Sequence, residues 1–143
     1  METRQFCTFH LDKFFFGVDV LTVQEIIRFN EVTMVPLASS VIRGLINLRG
    51  QIVTAFDLRQ RIGLDSRDIK DLLNVIIYTS DAAVSLLVDE IGDVLDLDYL
   101  RFEPTPNNLD PKIRSLIQGV YKLDHELLLI LDTEKTVDVD VHV

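Results

Sequence analysis

Apolar residues along the chain fall in short runs bounded by turn residues, the pattern of strands rather than long helices. Phe6 to Leu11 and Phe14 to Val20, rich in aromatic and β-branched residues and separated by Asp12-Lys13, predict a β-hairpin, although strict alternation fails at Phe14-Phe15-Phe16. Val23, Ile26 and Ile27 predict a helical turn over Leu21 to Ile27 that leads into another strand. Pro36 halts the run Val32 to Val35, Ser39-Ser40 offers a cap for a short turn, and Gly44 opens the segment Leu45 to Leu48. Arg49-Gly50 predicts a tight turn, Asn47 can satisfy it through its amide, and Ile52 to Phe56 is the returning strand. Asp57 is placed to cap a short helix through Ile62, ended by Gly63.

Residues 65–71, with five charged side chains and one apolar one, predict an exposed connection and the internal boundary of the chain. Beyond it, Asn74 to Tyr78 and Val84 to Val88 flank Thr79 to Ala83 as a second hairpin, and Val94, Leu95 and Leu97 resume the apolar pattern. The second half repeats the first. A shift of 68 carries Val18, Val20, Val23, Glu25, Ile26, Ile27 and Pro36 onto Leu86, Val88, Ile91, Asp93, Val94, Leu95 and Pro104. A shift of 75 then carries Ile42, Gly44, Leu48, Ile52, Val53, Phe56 and Asp57 onto Ile117, Gly119, Leu123, Leu127, Leu128, Leu131 and Asp132. The difference is absorbed by Pro106 to Ser115, where Asp110-Pro111 starts a helix-like segment. The expected architecture is all-β: two similar lobes, one over about residues 14–64 and one over about 72–137, with strand 5–11 shared between them. Each unit of about 55 to 65 residues has only a marginal core of its own, so the two should pack together and leave a seam.

Composition narrows the function. The 143 residues are long enough for a self-sufficient core, and Cys7, the only cysteine, excludes an internal disulfide and fits a reducing, cytoplasmic location. The beginning of the sequence lacks a secretory apolar stretch, and the longest apolar run, Leu127 to Leu131, is five residues against the roughly 20 needed to span a bilayer. Direct membrane insertion is not expected. Fourteen basic and 23 acidic residues leave nine net negative charges, which disfavours nucleic acid. The imbalance is local: residues 1–70 hold nine basic and eight acidic groups, and residues 71–143 hold five and fifteen.

Catalytic chemistry finds little support. Cys7 sits among aromatic residues on a predicted strand and reads as a buried, inert thiol. His10, His125 and His142 show no metal-ligand spacing, and the six glycines form no phosphate-cradling loop, so neither metal nor cofactor is expected. Asp89-Glu90 and Asp96-Asp98 read as exposed acidic loops rather than a carboxylate dyad or calcium site.

Gly44-Leu-Ile-Asn-Leu-Arg-Gly50 followed by Ile52-Val-Thr-Ala-Phe-Asp-Leu-Arg59 resembles the CheW family of chemotaxis coupling proteins. The likeness extends through Val18 to Ile27, Val35-Pro36, Leu87 to Leu95 and Gly119 to Lys135, nearly the whole span from Phe6 to Val137. Thr54, Ala55 and Phe16 depart from the usual family residues. The resemblance implies two five-stranded, SH3-like β-barrels with short helical segments, no catalysis, and two partners: the regulatory domain of a CheA-type histidine kinase and the cytoplasmic hairpin tip of chemoreceptors. Membrane association would then be indirect, through receptor arrays. The family's receptor groove maps onto Val23, Glu25, Ile26, Ile91 and Val94, with Arg49 as partner of Glu25. The kinase-facing residues are not assigned.

Without the resemblance, Val23, Ile91 and Val94 read as core, and Glu25 with Arg49 as an exposed ion pair. Two other functions remain open at this point. One is the same scaffold in a pathway that does not drive flagella; the other, of a different class, is a β-protein that binds a metabolite in its seam or reacts through Asp89 and Glu90.

Overall fold

In the computed structural model, which describes residues 2–28, 30–36 and 39–139, ten strands form two five-stranded sheets. The strands are β1 (Thr3–Leu11), β2 (Phe14–Asp19), β3 (Val23–Ile27), β4 (Ile42–Leu48), β5 (Gln51–Asp57), β6 (Leu73–Tyr78), β7 (Ala83–Val88), β8 (Glu90–Asp98), β9 (Ile117–Lys122) and β10 (Leu127–Leu131). Three helices of one turn, α1 (Leu58–Arg61), α2 (Pro111–Arg114) and α3 (Thr133–Thr136), punctuate them. The expected all-β architecture of two five-stranded lobes with short helical segments is what the chain adopts.

The broken alternation of the apolar runs follows from burial on both faces of the sheets. Phe9, Phe16, Ile77, Leu86 and Leu129 fill a central core between the sheets, whereas neighbours of opposite parity fill separate interiors. Phe6, Phe15, Leu128 and Ile130 line one interior, and Ile46, Val53 and Ile76 line the other. The seam expected to hold a cleft is thus the largest core of the molecule.

The repeat is present strand by strand, but the lobes are not its successive copies. The first sheet runs β8-β1-β2-β10-β9 and the second β3-β6-β7-β5-β4. Each therefore combines the opening hairpin of one copy with the three following strands of the other. Parallel pairs join the two contributions, β2 with β10 and β5 with β7. This overturns the division at 14–64 and 72–137. β2 and β5 belong to different sheets, and strand 5–11 is not shared: both of its neighbours, β2 and β8, lie in the first sheet. The expectation failed because similar sequences specify similar strands without specifying which copy pairs with which.

Local signals held more closely. Asp57 and Asp132, 75 residues apart, cap α1 and α3 by accepting from Gln60 N–H and Lys135 N–H. Asp110 caps α2, with Pro111 in its first turn. The helical turn predicted over Leu21 to Ile27 is a 3-10 turn over Val20–Thr22, followed at once by β3. Gly44 and Gly119 occupy equivalent places for one reason: the segment after β3 bridges Thr33 to Leu45, and that after β8 bridges Glu103 to Val120. A Cβ at Gly44 would strike the Thr33 carbonyl, and one at Gly119 the Phe102 ring and the Glu103 carbonyl. Each sheet's outer strands are thereby drawn together into a barrel. Of the chain's tail, only Asp138 and Val139 are described; residues 140–143, including His142, lie outside the described residues.

Candidate functional site

β3 and β8 are the outermost strands of the second and first sheets, equivalent in the repeat and placed in different sheets by the exchange. Both carry a β-bulge at the same repeat position. In β3 the register slips between Val23, opposite Ile77, and Glu25, opposite Ile76, so Gln24 is the extra residue. In β8 it slips between Val94, opposite Cys7, and Ile91, opposite Phe9, at Gly92-Asp93. There the Thr8 hydroxyl donates to the Asp93 carbonyl at 2.5 Å and occupies the space that a Cβ on Gly92 would take.

The bulges decide which side chains share a face. Residues three apart on a regular strand point to opposite faces; the inserted residue restores them to the same one. Val23 and Ile26 stand opposite Ile77 and Val75, and Ile91 and Val94 stand opposite Phe9 and Cys7, all four of which belong to the central core. The two edges therefore border that core with apolar residues. Val23 and Ile91 pack against it, while Ile26 is 41% and Val94 56% exposed.

Glu25 takes the other face of β3, toward the second barrel, where Ile76 is its cross-strand neighbour. It forms an ion pair with Arg49 in the β4–β5 turn, closing the barrel mouth between opposite edges of the sheet. Hydrogen bonding to Glu25 and its charge raise the Arg49 pKa. The turn itself has two residues, Arg49 (φ 52°) and Gly50 (φ 86°), both left-handed as a primed hairpin turn requires. The Asn47 side-chain oxygen accepts from Gly50 N–H at 2.9 Å. Glycine suits both positions; an arginine at the first holds a strained backbone, and such strain concentrates at working sites.

Sequence reasoning placed Asp89 in an exposed acidic loop, which the structure corrects. Its side chain, on the single residue between β7 and β8, is only 3% exposed. Oδ2 accepts from Arg59 Nη1 at 2.6 Å and from Asp12 N–H at 2.7 Å, with Arg67 Nη1 at 3.5 Å. Buried Asp57 likewise takes Ser66 Oγ and Arg43 Nη1 at 2.8 and 3.2 Å. These contacts tie down the exposed 65–71 connection, whose Asp65 and Arg67 carbonyls accept from Arg59 and Arg43. A carboxylate that directly follows a largely apolar strand such as Val84 to Val88, whose one polar residue is Ser85, must find a buried cation, the one signal in the sequence that could have revealed the cluster. Glu90 remains exposed, so the adjacent acids do not form a dyad. Cys7 is buried, and burial first, then the Asp19 charge, pushes its thiol pKa up. That keeps it neutral and unreactive.

None of the described cavities is lined by Val23, Ile26, Ile91 or Val94: one of about 350 Å³ opens at the far end of β8, beside Asp96, Asp98, Arg101 and Tyr121. No described helix is long and apolar enough to cross a membrane.

A family model described as the CheW-like domain matches residues 5–140. The chain is 31% identical over 137 residues to chemotaxis protein CheW of Klebsiella aerogenes, covering 92% of this chain and 80% of that one. It is 31% identical over 124 residues to chemotaxis protein CheW of Bacillus subtilis, with 86% and 80% covered. Among solved structures, the scaffolding protein TtCheW of Thermoanaerobacter tengcongensis superposes with a TM-score of 0.86 at 27% identity, covering 97% of this chain and 95% of that chain.

Proposed function

The chain belongs to the CheW-like family, and on that premise we propose that it is a non-catalytic chemotaxis adaptor, coupling chemoreceptors to a CheA-type histidine kinase. The observation that carries the receptor half is the pair of bulged edges. Val23 and Ile26 on β3, and Ile91 and Val94 on β8, are the apolar margins of one core carried by two different sheets. A receptor's cytoplasmic hairpin is helical, and an amphipathic helix presents apolar anchors at i, i+3, i+4 and i+7 that such margins accept. Glu25 and Arg49, on the opposite face of β3 at the barrel mouth, flank the track and set its polarity.

The kinase half rests on family membership: barrel-to-barrel contact with the kinase regulatory domain, which leaves the β3 and β8 margins to the receptor. Recruitment to membrane-associated arrays follows from holding the receptor, not from any membrane affinity of the chain. The test is co-precipitation of the purified protein with a receptor hairpin fragment and, separately, with the kinase regulatory domain. Capture of both supports coupling; failure to capture either refutes it.

A further inference from the structure

We propose that Asp89 is a positioning residue that fixes the angle between the two sheets, and thereby the spacing of the β3 and β8 margins; the second half of this inference rests on the docking reading above. Asp89 is the only residue between β7 of the second sheet and β8 of the first, and its own N–H donates to the His10 carbonyl of β1. Its carboxylate reaches in both directions. Asp12 N–H belongs to the β1–β2 turn of the first sheet, where Asp12 itself is left-handed (φ 55°). Arg59 belongs to α1, directly after β5 of the second sheet, and its own side chain is 8% exposed. Arg59 Nε holds the Asp65 carbonyl at 2.6 Å, which prevents the guanidinium from swinging away.

The other chain crossing between sheets lacks this device. Asp19, at the end of β2, pairs with Arg4 of β1, a contact that stays within the first sheet. Leu21, the repeat counterpart of Asp89, is fully outward. Asp89 thus provides a buried, directional, charge-assisted contact between the two sheets, set within apolar packing that has little orientational preference; the other described polar ties between them, Arg61 to the Lys135, Thr136 and Asp138 carbonyls and Ser80 to Glu134, rest on half-buried or exposed side chains. Two residues on from it lies Ile91 and five on lies Val94, so a rotation about the crossing moves both relative to Val23 and Ile26. Among the described residues the carboxylate's Oδ1 is buried without a partner, an arrangement that apolar packing alone would not retain.

The experiment compares wild type, Asp89→Asn and the double variant Asp89→Leu with Arg59→Met. Removing one partner of a buried pair should lower Tm by roughly 10 °C, whereas replacing both with apolar side chains should restore most of it. The deciding readout is the angle between the sheets, from residual dipolar couplings of the ¹⁵N-labelled protein. The double variant should recover its melting temperature yet show a changed angle and bind a receptor hairpin about tenfold more weakly. A restored variant with an unchanged angle overturns the proposal, as does Asp89→Asn that leaves Tm and couplings untouched. A changed angle with wild-type binding refutes the link to the margins. Should Asp89→Asn not fold, Arg59→Lys, which keeps the charge but loses the hold on Asp65, carries the same measurement. If the wild-type chain binds no hairpin, the docking reading fails alone, and the couplings still decide the role of Asp89.

Discussion

Val94→Lys separates docking from folding because Val94 lies on an outer strand and is 56% exposed. In the free protein a lysine there can direct its ammonium into water while its stem covers the same surface, so the change in folding stability should stay within about 0.5 kcal/mol. In the proposed docked state the position lies under a helix. Completing the burial of a half-exposed valine is worth roughly 1 kcal/mol, which the variant forfeits. Taking part of the ammonium's hydration away adds about 2 kcal/mol more, short of full burial because the long stem allows escape. The sum, about 3 kcal/mol, corresponds to a roughly 100-fold rise in Kd for the receptor hairpin. Isothermal titration with the hairpin fragment measures it, and circular dichroism with a thermal melt reports folding. A variant that melts normally and binds within twofold of wild type would falsify the docking assignment. One that fails to fold would show Val94 to be core, against its observed exposure.

Three further perturbations test the same structure. Arg49→Gly relieves a left-handed arginine and removes an exposed ion pair, so Tm should rise by about 3 °C or stay level while hairpin binding weakens; a fall in Tm together with unchanged binding contradicts both roles. Gly44→Ala places a Cβ against the Thr33 carbonyl at φ 148° and should lower Tm by roughly 10 °C, checked by calorimetry. For Asp19, burial pushes the carboxyl pKa up, but hydrogen bonds from Arg4 and Leu21 N–H and the Arg4 charge outweigh it, leaving the folded value below 3.8. A lowered folded pKa gives stability that is present above the unfolded value and lost as pH falls through the folded one; wild type should therefore lose stability below about pH 4 more steeply than Asp19→Asn in pH-resolved denaturant melts.

What the sequence made legible was local. The Asp57 and Asp132 caps, the Arg49-Gly50 turn with its Asn47 bond, and the strand content of each run depend on residues a few positions apart, and each is where local chemistry puts it. The repeat was legible too, because equivalent strands meet equivalent demands: Gly44 and Gly119 each lie under a crossing segment. Sheet membership was not. Phe14-Phe15-Phe16 reads as apolar whether its neighbour is β5 or β10, since both offer buried aliphatic faces. Asp89 escaped for a related reason. Its charge suggested solvent, and only the arrival of Arg59 from 30 residues away makes its burial tolerable.

The exchange of strands bears on function through the bulges. Had each copy folded on itself, β3 and β8 would have been edges of separate barrels, each joined to its own hairpin, with no reason for their apolar residues to border a common core. With the hairpins exchanged, β3 lies beside β6 and β8 beside β1, and the core-facing sides of β6 and β1 meet between the sheets. One inserted residue in each edge then turns a second apolar side chain, Ile26 or Val94, toward that core's margin, where it stays exposed among the described residues. An apolar pair kept exposed by a bulge at the same place in both copies, at the border of a core already complete, adds little to folding and is the arrangement that the proposed docking requires.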